Sequence, residues 1–322
     1  MLGKNDYKLF VLSHLRNVGP RAIFDVYLDQ SFEDLSITEA AELIQTRAKR
    51  KNDFGSVEEA EKEAALNIEG AEKAGVHIVG PDNDAFPTLL RTAKNAPAFL
   101  YVLGDTQTLN KDRMVAIVGS RRSTDHGLKI CERITRYFVE QGWLIVSGLA
   151  LGCDTVAHEV AVGDGGLTIA VLAHGLQKVA PESNTYLSKK IIETGGALIT
   201  EYPIGTEPLP YHYAARDRIQ AGLSRGVVMI QSSAGGGSLY AARESLECGR
   251  IMAVPKPTEL DLRDNFDDVE ANVVLTTGGD TEKIELLNLS KKSSEAIDNI
   301  FIISSKEDYP ALEKELLTDI SG

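Results

Sequence analysis

The residues best suited to hold an anion are concentrated between Tyr211 and Ser238, in the run YHYAARDRIQAGLSRGVVMIQSSAGGGS. Arg216 and Arg218 carry fork-shaped cations that match the oxygens of a phosphate. They precede a turn expected at Gly222, and an apolar strand is expected over Val227–Ile230. That strand runs into Gly235, Gly236 and Gly237, and Ser238 opens a helix. Glycines let a backbone approach a ligand closely, and the first N–H groups of a helix have no partner within it, so the pattern describes a phosphate cradle. Tyr211, His212 and Tyr213 stand just upstream and could stack on a base or form a half-buried aromatic cluster.

Five other apolar runs must position this stretch: MVAIVG (Met114–Gly119), WLIVSG (Trp143–Gly148), TIAVLA (Thr168–Ala173), ALITE (Ala197–Glu201) and IMAVP (Ile251–Pro255). Amphipathic segments lie between them, at Lys129–Glu140, Thr155–Val162, Thr185–Glu193 and Leu239–Cys248. Strands of near-continuous branched residues joined by helices predict a parallel sheet covered on both faces, with right-handed crossovers. The fold class is α/β: an extended Rossmann-like, doubly wound, mostly parallel sheet. Ligands of such sheets sit at the carboxyl ends of the strands. Here those ends carry Gly119, Ser120 and Arg121, then Gly148, His174, Glu201 and the triple glycine. Asp154 and His158 are expected to pair four residues apart on one helix and to shape the Gly148 loop.

Three regions follow. Residues 1–75 read as a small helical domain of the helix-hairpin-helix or SAM-like kind, with a break at Gly19-Pro20. His14, Arg16 and Arg21 are its only candidates for phosphate contact, and an ordinary helical pair fits the pattern as well. Residues 76–288 form the Rossmann-like domain, opened by short strands near Val76–Val79 and Ala98–Leu103. Residues 289–322 read as a short acidic tail, a peripheral element or a partner-binding segment. The 322 residues carry a net charge of −13, so a polyanion can be met only through a local basic patch. Cys131, Cys153 and Cys248 lack metal-ligand spacing and suit a reducing, cytoplasmic setting. No apolar run is long enough to span a membrane. Neither a metal site nor a cofactor motif is expected.

Taken in order, these motifs resemble those of the DprA/Smf family of DNA-processing proteins. VAIVGSRRSTDHG (Val115–Gly127) is similar to the family's opening strand and GSR turn. VSGLALGCDTVAHEVAV (Val146–Val162) resembles its SGxAxGxDxxAH element, and LITEYP (Leu198–Pro203) follows in family order. ARDRIQAGLS is similar to the RNRIIAGLS signature, and GGGSLYAARESLECGRIMAVP to the SGS helix and closing strand. The resemblance implies a non-catalytic protein that binds single-stranded DNA, commonly as a dimer, and helps load a RecA-type recombinase in natural transformation. By motif position it implies that Gly119, Ser120, Arg121, Gly148, Arg216, Arg218, Gly235, Gly236, Gly237 and Ser238 line the groove.

The chain departs from that pattern at Glu182, where the family often has a basic residue, at Pro210, before the signature, and at Ala214 and Asp217, which replace Pro and Asn. The same fold superfamily includes LOG-like phosphoribohydrolases, whose PGGxGTxxE loop sets a glutamate against a ribose. Here Ala241 takes that place and the first glutamate, Glu244, lies a turn further on. A nucleotide-binding sensor or a phosphoribohydrolase-like protein of the same superfamily, defence-linked in its biology, is the alternative reading.

Overall fold

The structure, a computed structural model, describes residues 2–48, 53–264 and 266–318. Residues 1, 49–52, 265 and 319–322, which belong to the expected helical domain, Rossmann-like domain and tail, lie outside the described residues.

Four helices come first: α1 (Lys4–Ser13), α2 (Pro20–Tyr27), α3 (Ile37–Arg47) and α4 (Val57–Lys73). Ser36 caps α3 with a reciprocal capping box to Glu39, and Ser56 caps α4. Next come β1 (His77–Val79), α5 (Thr88–Arg91) and β2 (Leu100–Gly104). The alternating core is β3 (Met114–Val118), α6 (Asp125–Glu140), β4 (Leu144–Ser147), α7 (Cys153–Gly163), β5 (Thr168–Val171), α8 (Thr185–Glu193), β6 (Ala197–Thr200), α9 (Pro210–Leu223), β7 (Gly226–Met229), α10 (Ser238–Glu247) and β8 (Ile251–Pro255). Three helices, α11 (Glu259–Asp264), α12 (Phe266–Thr277) and α13 (Asp280–Leu287), precede β9 (Ile300–Ile303) and α14 (Tyr309–Leu316).

One sheet of nine strands runs through the molecule in the order β1-β2-β6-β5-β4-β3-β7-β8-β9. The β1–β2 and β2–β6 pairs are antiparallel and all others parallel. The chain winds outward from β3 to β6, then returns to lay β7 on the other side of β3. The switch point of this doubly wound sheet is therefore the crevice between β3 and β7. Side chains alternate along each strand. Met114, Ala116 and Val118 enter the core under α9, α10 and α12, while Val115 and Ile117 enter the one under α6, α7 and α14. A third cluster joins Leu9, Phe10 and Leu12 of α1 to Phe99, Tyr101, Leu172 and Leu198 of the sheet layer.

Two expectations need correcting. Residues 210–223 form a continuous helix, so the turn expected at Gly222 falls after Leu223. Pro210 at the first helical position starts α9. Its residues 212, 216, 217 and 219–223 are buried on several sides, which erases the amphipathic period that normally reveals a helix. Gly222 serves packing, because a Cβ there would meet Leu90 Cδ1 at 2.5 Å. The tail is likewise part of the fold: β9 extends the sheet in register with Met252–Pro255. On α14, Glu313 accepts hydrogen bonds from Tyr137 Oη and Trp143 Nε1, both at 2.9 Å.

The C-terminus of α9 is held by a residue with no obvious motif. The buried Arg250 guanidinium donates to the carbonyls of Ala221, Gly222, Ser224 and Leu89 at 2.5–2.8 Å. A cation there also suits the negative end of the helix. Arg250→Ala takes this donor from the Gly222 and Ser224 carbonyls and leaves Ala221 O and Leu89 O with only their bonds from Ser224 N and Thr92 Oγ1, and a loss of about 2–3 kcal/mol is expected in a urea unfolding experiment. Arg250→Lys should recover only part of it, since an ammonium cannot reproduce the planar fork.

Candidate anion-binding groove

The crevice at the switch point opens into a groove of about 590 Å³. One wall is the loop after β3. Gly119 is required there, since a Cβ would stand 2.5 Å from Cys153 Sγ. Ser120 donates its N–H to Gln231 O at 2.9 Å, and its Oγ accepts from Arg122 N at 3.0 Å. The Ser120 N–H is thus used to tie β3 to β7, and the cradle must be supplied from elsewhere. Arg121 and Arg122 extend from this loop, exposed, and neither has a carboxylate within ion-pairing distance among the described residues. Arg121 rests its guanidinium 4.8 Å from the Tyr213 ring centroid.

The floor is the glycine turn. Gly236 N donates to Ser233 O at 3.0 Å, and a side chain at Gly236 would collide with Ser232 Oγ. Around Gly235 and Gly237 an added Cβ meets nothing within 4 Å, so these positions lie open. No side chain caps α10 at Gly237; Leu239 N–H and Tyr240 N–H donate to Gly236 O and Gly237 O, so it is the Gly237–Ser238 turn at the helix start that borders the groove. Asn272 of α12 fixes the strand ends behind it: Nδ2 donates to Ile230 O and Pro255 O, and Oδ1 accepts from Ser232 N.

The remaining wall is α9. Two of the expected stacking residues, Tyr211 and Tyr213, line the groove, and Tyr211 is 67% exposed. His212 does not; it is buried, stacked on Tyr202 with ring centroids 4.1 Å apart. The two signature arginines also part company. Arg216 faces the groove and lies across Gly148, where any side chain would overlap its guanidinium. Arg218, two residues and about 200° further round the helix, faces away. It forms a two-pronged pair with Glu201 at 2.6 and 2.7 Å and borders a separate cavity beside Pro20 and Phe24. The expected place of Arg218 in the groove is thereby corrected.

Arg216 is itself not free. It is 5% exposed, with Nη1 3.3 Å from Asp217 Oδ1 and Nη2 3.5 Å from Asp154 Oδ2. Burial pushes the Asp217 carboxyl up to about 7, against the pull of Arg216 and Arg121 and with a further push from Asp154. Burial also raises Asp154, opposed chiefly by Arg216. The Nε of Arg216 has no hydrogen-bond partner among the described residues. Asp154 does not pair with His158 as expected: its Oδ2 accepts from Ala150 N, while His158 Nδ1 meets Thr168 Oγ1 at 2.7 Å. Complete burial and the nearby Arg216 lower the His158 pKa to about 3, so its ring is neutral.

Among the other candidates, Glu182 is exposed and does not line the groove, whereas Pro210, Ala214 and Asp217 do. Glu244 is turned toward Arg243 and Asn95. In the helical layer Arg16 pairs with Asp53 and Glu59, Arg21 with Asp25, and His14 Nε2 lies 2.7 Å from Asn67 Nδ2. Reading the sequence overlooked Arg122, adjacent to Arg121, and Tyr240, two residues into α10; both line the groove. Among the described residues no helix is long and apolar enough to cross a membrane, and no group of three or more His, Cys, Asp or Glu could hold a metal ion.

A Rossmann-type sheet with a glycine turn and exposed arginines at its switch point places the chain in the doubly wound α/β class. The chain belongs to the family of DNA recombination-mediator protein A, which it matches over residues 77–268. It is 36% identical over 182 residues to the DNA processing protein DprA of Bacillus subtilis, covering 56% of this chain and 61% of that protein. Protein Smf of Escherichia coli is 38% identical over 191 residues, covering 58% and 50%. The matched region thus spans about half to three-fifths of these relatives. Among solved structures, DprA of Streptococcus pneumoniae superposes with a TM-score of 0.70 at 26% identity, over 97% of this chain and 98% of its own. DNA processing protein A of Helicobacter pylori, whose structure is described for its single-stranded DNA binding mode, gives 0.59 at 26% identity, over 74% and 96%. The expected family and the Rossmann-like fold are both shown.

Proposed function

We propose that the groove binds single-stranded DNA without performing chemistry on it, and that the protein acts in the cytoplasm as a homodimer that protects strands and helps load a RecA-type recombinase. The observation that carries this reading is the exposed Arg121–Arg122 pair facing the uncapped start of α10, with Tyr211 and Tyr213 alongside. Cations and helix N–H groups hold phosphates, and exposed rings stack on bases that only an unpaired strand presents. The relatives named for DNA processing support the same class of ligand. A binding role fits a site with no histidine among the described residues that line it, beside a buried, neutral His158, and with Glu244 facing elsewhere.

Fluorescence anisotropy with labelled oligo-dT tests the reading at low and moderate salt. Arg121→Ala/Arg122→Ala removes two exposed side chains whose loss should leave the fold intact. We expect binding that weakens with salt in the unaltered protein, and a slope of log affinity against log salt shallower by about 1.4 in the variant. Absence of strand binding at low salt, together with a mononucleotide that raises the melting temperature, would overturn the proposal in favour of a nucleotide sensor.

A further inference from the structure

The groove does not end at the glycine turn. Beyond Gly235 and Gly236 a second hollow of about 160 Å³ continues between α10 and the end of α13, bordered by Leu239, Arg243, Leu286 and Asn288. Tyr240 borders both spaces and is 44% exposed. Arg243 stacks its guanidinium 5.2 Å from the Tyr240 ring centroid, and Arg243 Nη2 lies 3.6 Å from Glu244 Oε1. The arrangement repeats that of Arg121 on Tyr213 across the cradle: an arginine held flat on a tyrosine, one pair on each side of the open start of α10.

We infer that Tyr240 and Arg243 form a second nucleotide subsite, through which a single strand leaves the groove with a base stacked on Tyr240 and the following phosphate at Arg243. This rests on the reading of the groove as a strand-binding site and adds a direction to it. A ring facing two connected hollows is suited to a ligand that continues from one to the next. A mononucleotide would fill the cradle and leave the second hollow unused. The guanidinium is restrained by its tyrosine and by Glu244, so the strand meets a pre-positioned cation, and the carboxylate keeps the subsite weaker for phosphate than the Arg121–Arg122 side.

The test is the dependence of affinity on strand length, measured by anisotropy with labelled oligo-dT from two to twelve nucleotides. Tyr240→Leu and Arg243→Gln are compared with the unaltered protein, and Tyr240→Phe keeps the ring. A companion strand carrying abasic sites separates stacking from phosphate contact. Loss of the Tyr240 ring is expected to weaken the longer strands about tenfold, to change the shortest ones little, and to shrink the preference for base-bearing over abasic strands. Tyr240→Phe should restore both. Variants that follow the unaltered length dependence would overturn the subsite while leaving the groove itself intact. If the unaltered protein binds no strand of any length, the strand reading falls and the subsite falls with it.

Discussion

Arg216→Ala is expected to lower the unfolding free energy by about 3–5 kcal/mol, because it strands two buried carboxylates before it removes any contact to a ligand. Arg216, Asp154 and Asp217 are all nearly inaccessible, and the guanidinium is the cation that opposes the rise of both acids. Without it each carboxyl favours its protonated form more strongly. An acid whose folded pKa is raised contributes stability that is complete below its unfolded value and lost as pH rises through the folded one. The deficit of the variant should therefore be larger at pH 8 than at pH 5. Urea unfolding at the two pH values measures it. Adding Asp154→Asn and Asp217→Asn to the variant should recover much of the loss at pH 8. A deficit under about 1 kcal/mol at pH 8 would mean that the three groups are not a buried charge cluster.

Strand affinity is expected to fall as pH rises through 7, by up to about tenfold for each unit above it, and Asp217→Asn should flatten the profile. With its carboxyl pushed up to about 7, Asp217 is neutral in mildly acidic solution and adds a negative charge beside Arg216 in mildly basic solution. A phosphate entering the groove raises that pKa further, so binding above pH 7 takes up a proton. The same group makes the same demand on the free protein. Its folded pKa lies about three units above its ordinary 3.8, so stability on the order of 4 kcal/mol is present below pH 4 and lost progressively up to and through pH 7. Asp217→Asn, which mimics the neutral acid, should be more stable than the unaltered protein at pH 8 and nearly equal to it at pH 4. Anisotropy and urea unfolding across pH 5–8 read the two effects separately. An unchanged binding profile in the variant would assign the pH dependence to another group.

The sheet was legible because its strands are short, fully buried runs of branched residues bounded by glycines and polar ends. The six core strands lie where those runs predict them. The glycine cradle was legible for the same reason, since a strand, three glycines and a helix start have few other uses. The orientation of side chains around α9 was not. Arg216 and Arg218 look equivalent in a line of text, and only the helix that carries them sends one to the groove and the other to Glu201. That helix was itself hidden, because burial on several sides gives no polar face to mark its period. His212 was lost to the groove by the same rotation. Arg250 and Asn272 act on backbone atoms far away in sequence and leave no local pattern. β9 was missed because it has four residues, three of them only partly buried, and follows a polar segment.

The cluster that joins α1 to the sheet layer has a consequence for how the molecule comes apart. Phe10 packs edge-on against Phe99 with centroids 4.9 Å apart, and Tyr101 lies beside them. Peeling the four N-terminal helices away would wet these rings on both sides at once. The change of architecture near residue 76 is therefore expected to be no seam in cooperativity, with opening of either side drawing on the free energy of the whole. A ligand seated in the groove would slow amide exchange in α1 and α4, which it never touches, because whatever it adds to the folded state is shared by every element that must unfold with it.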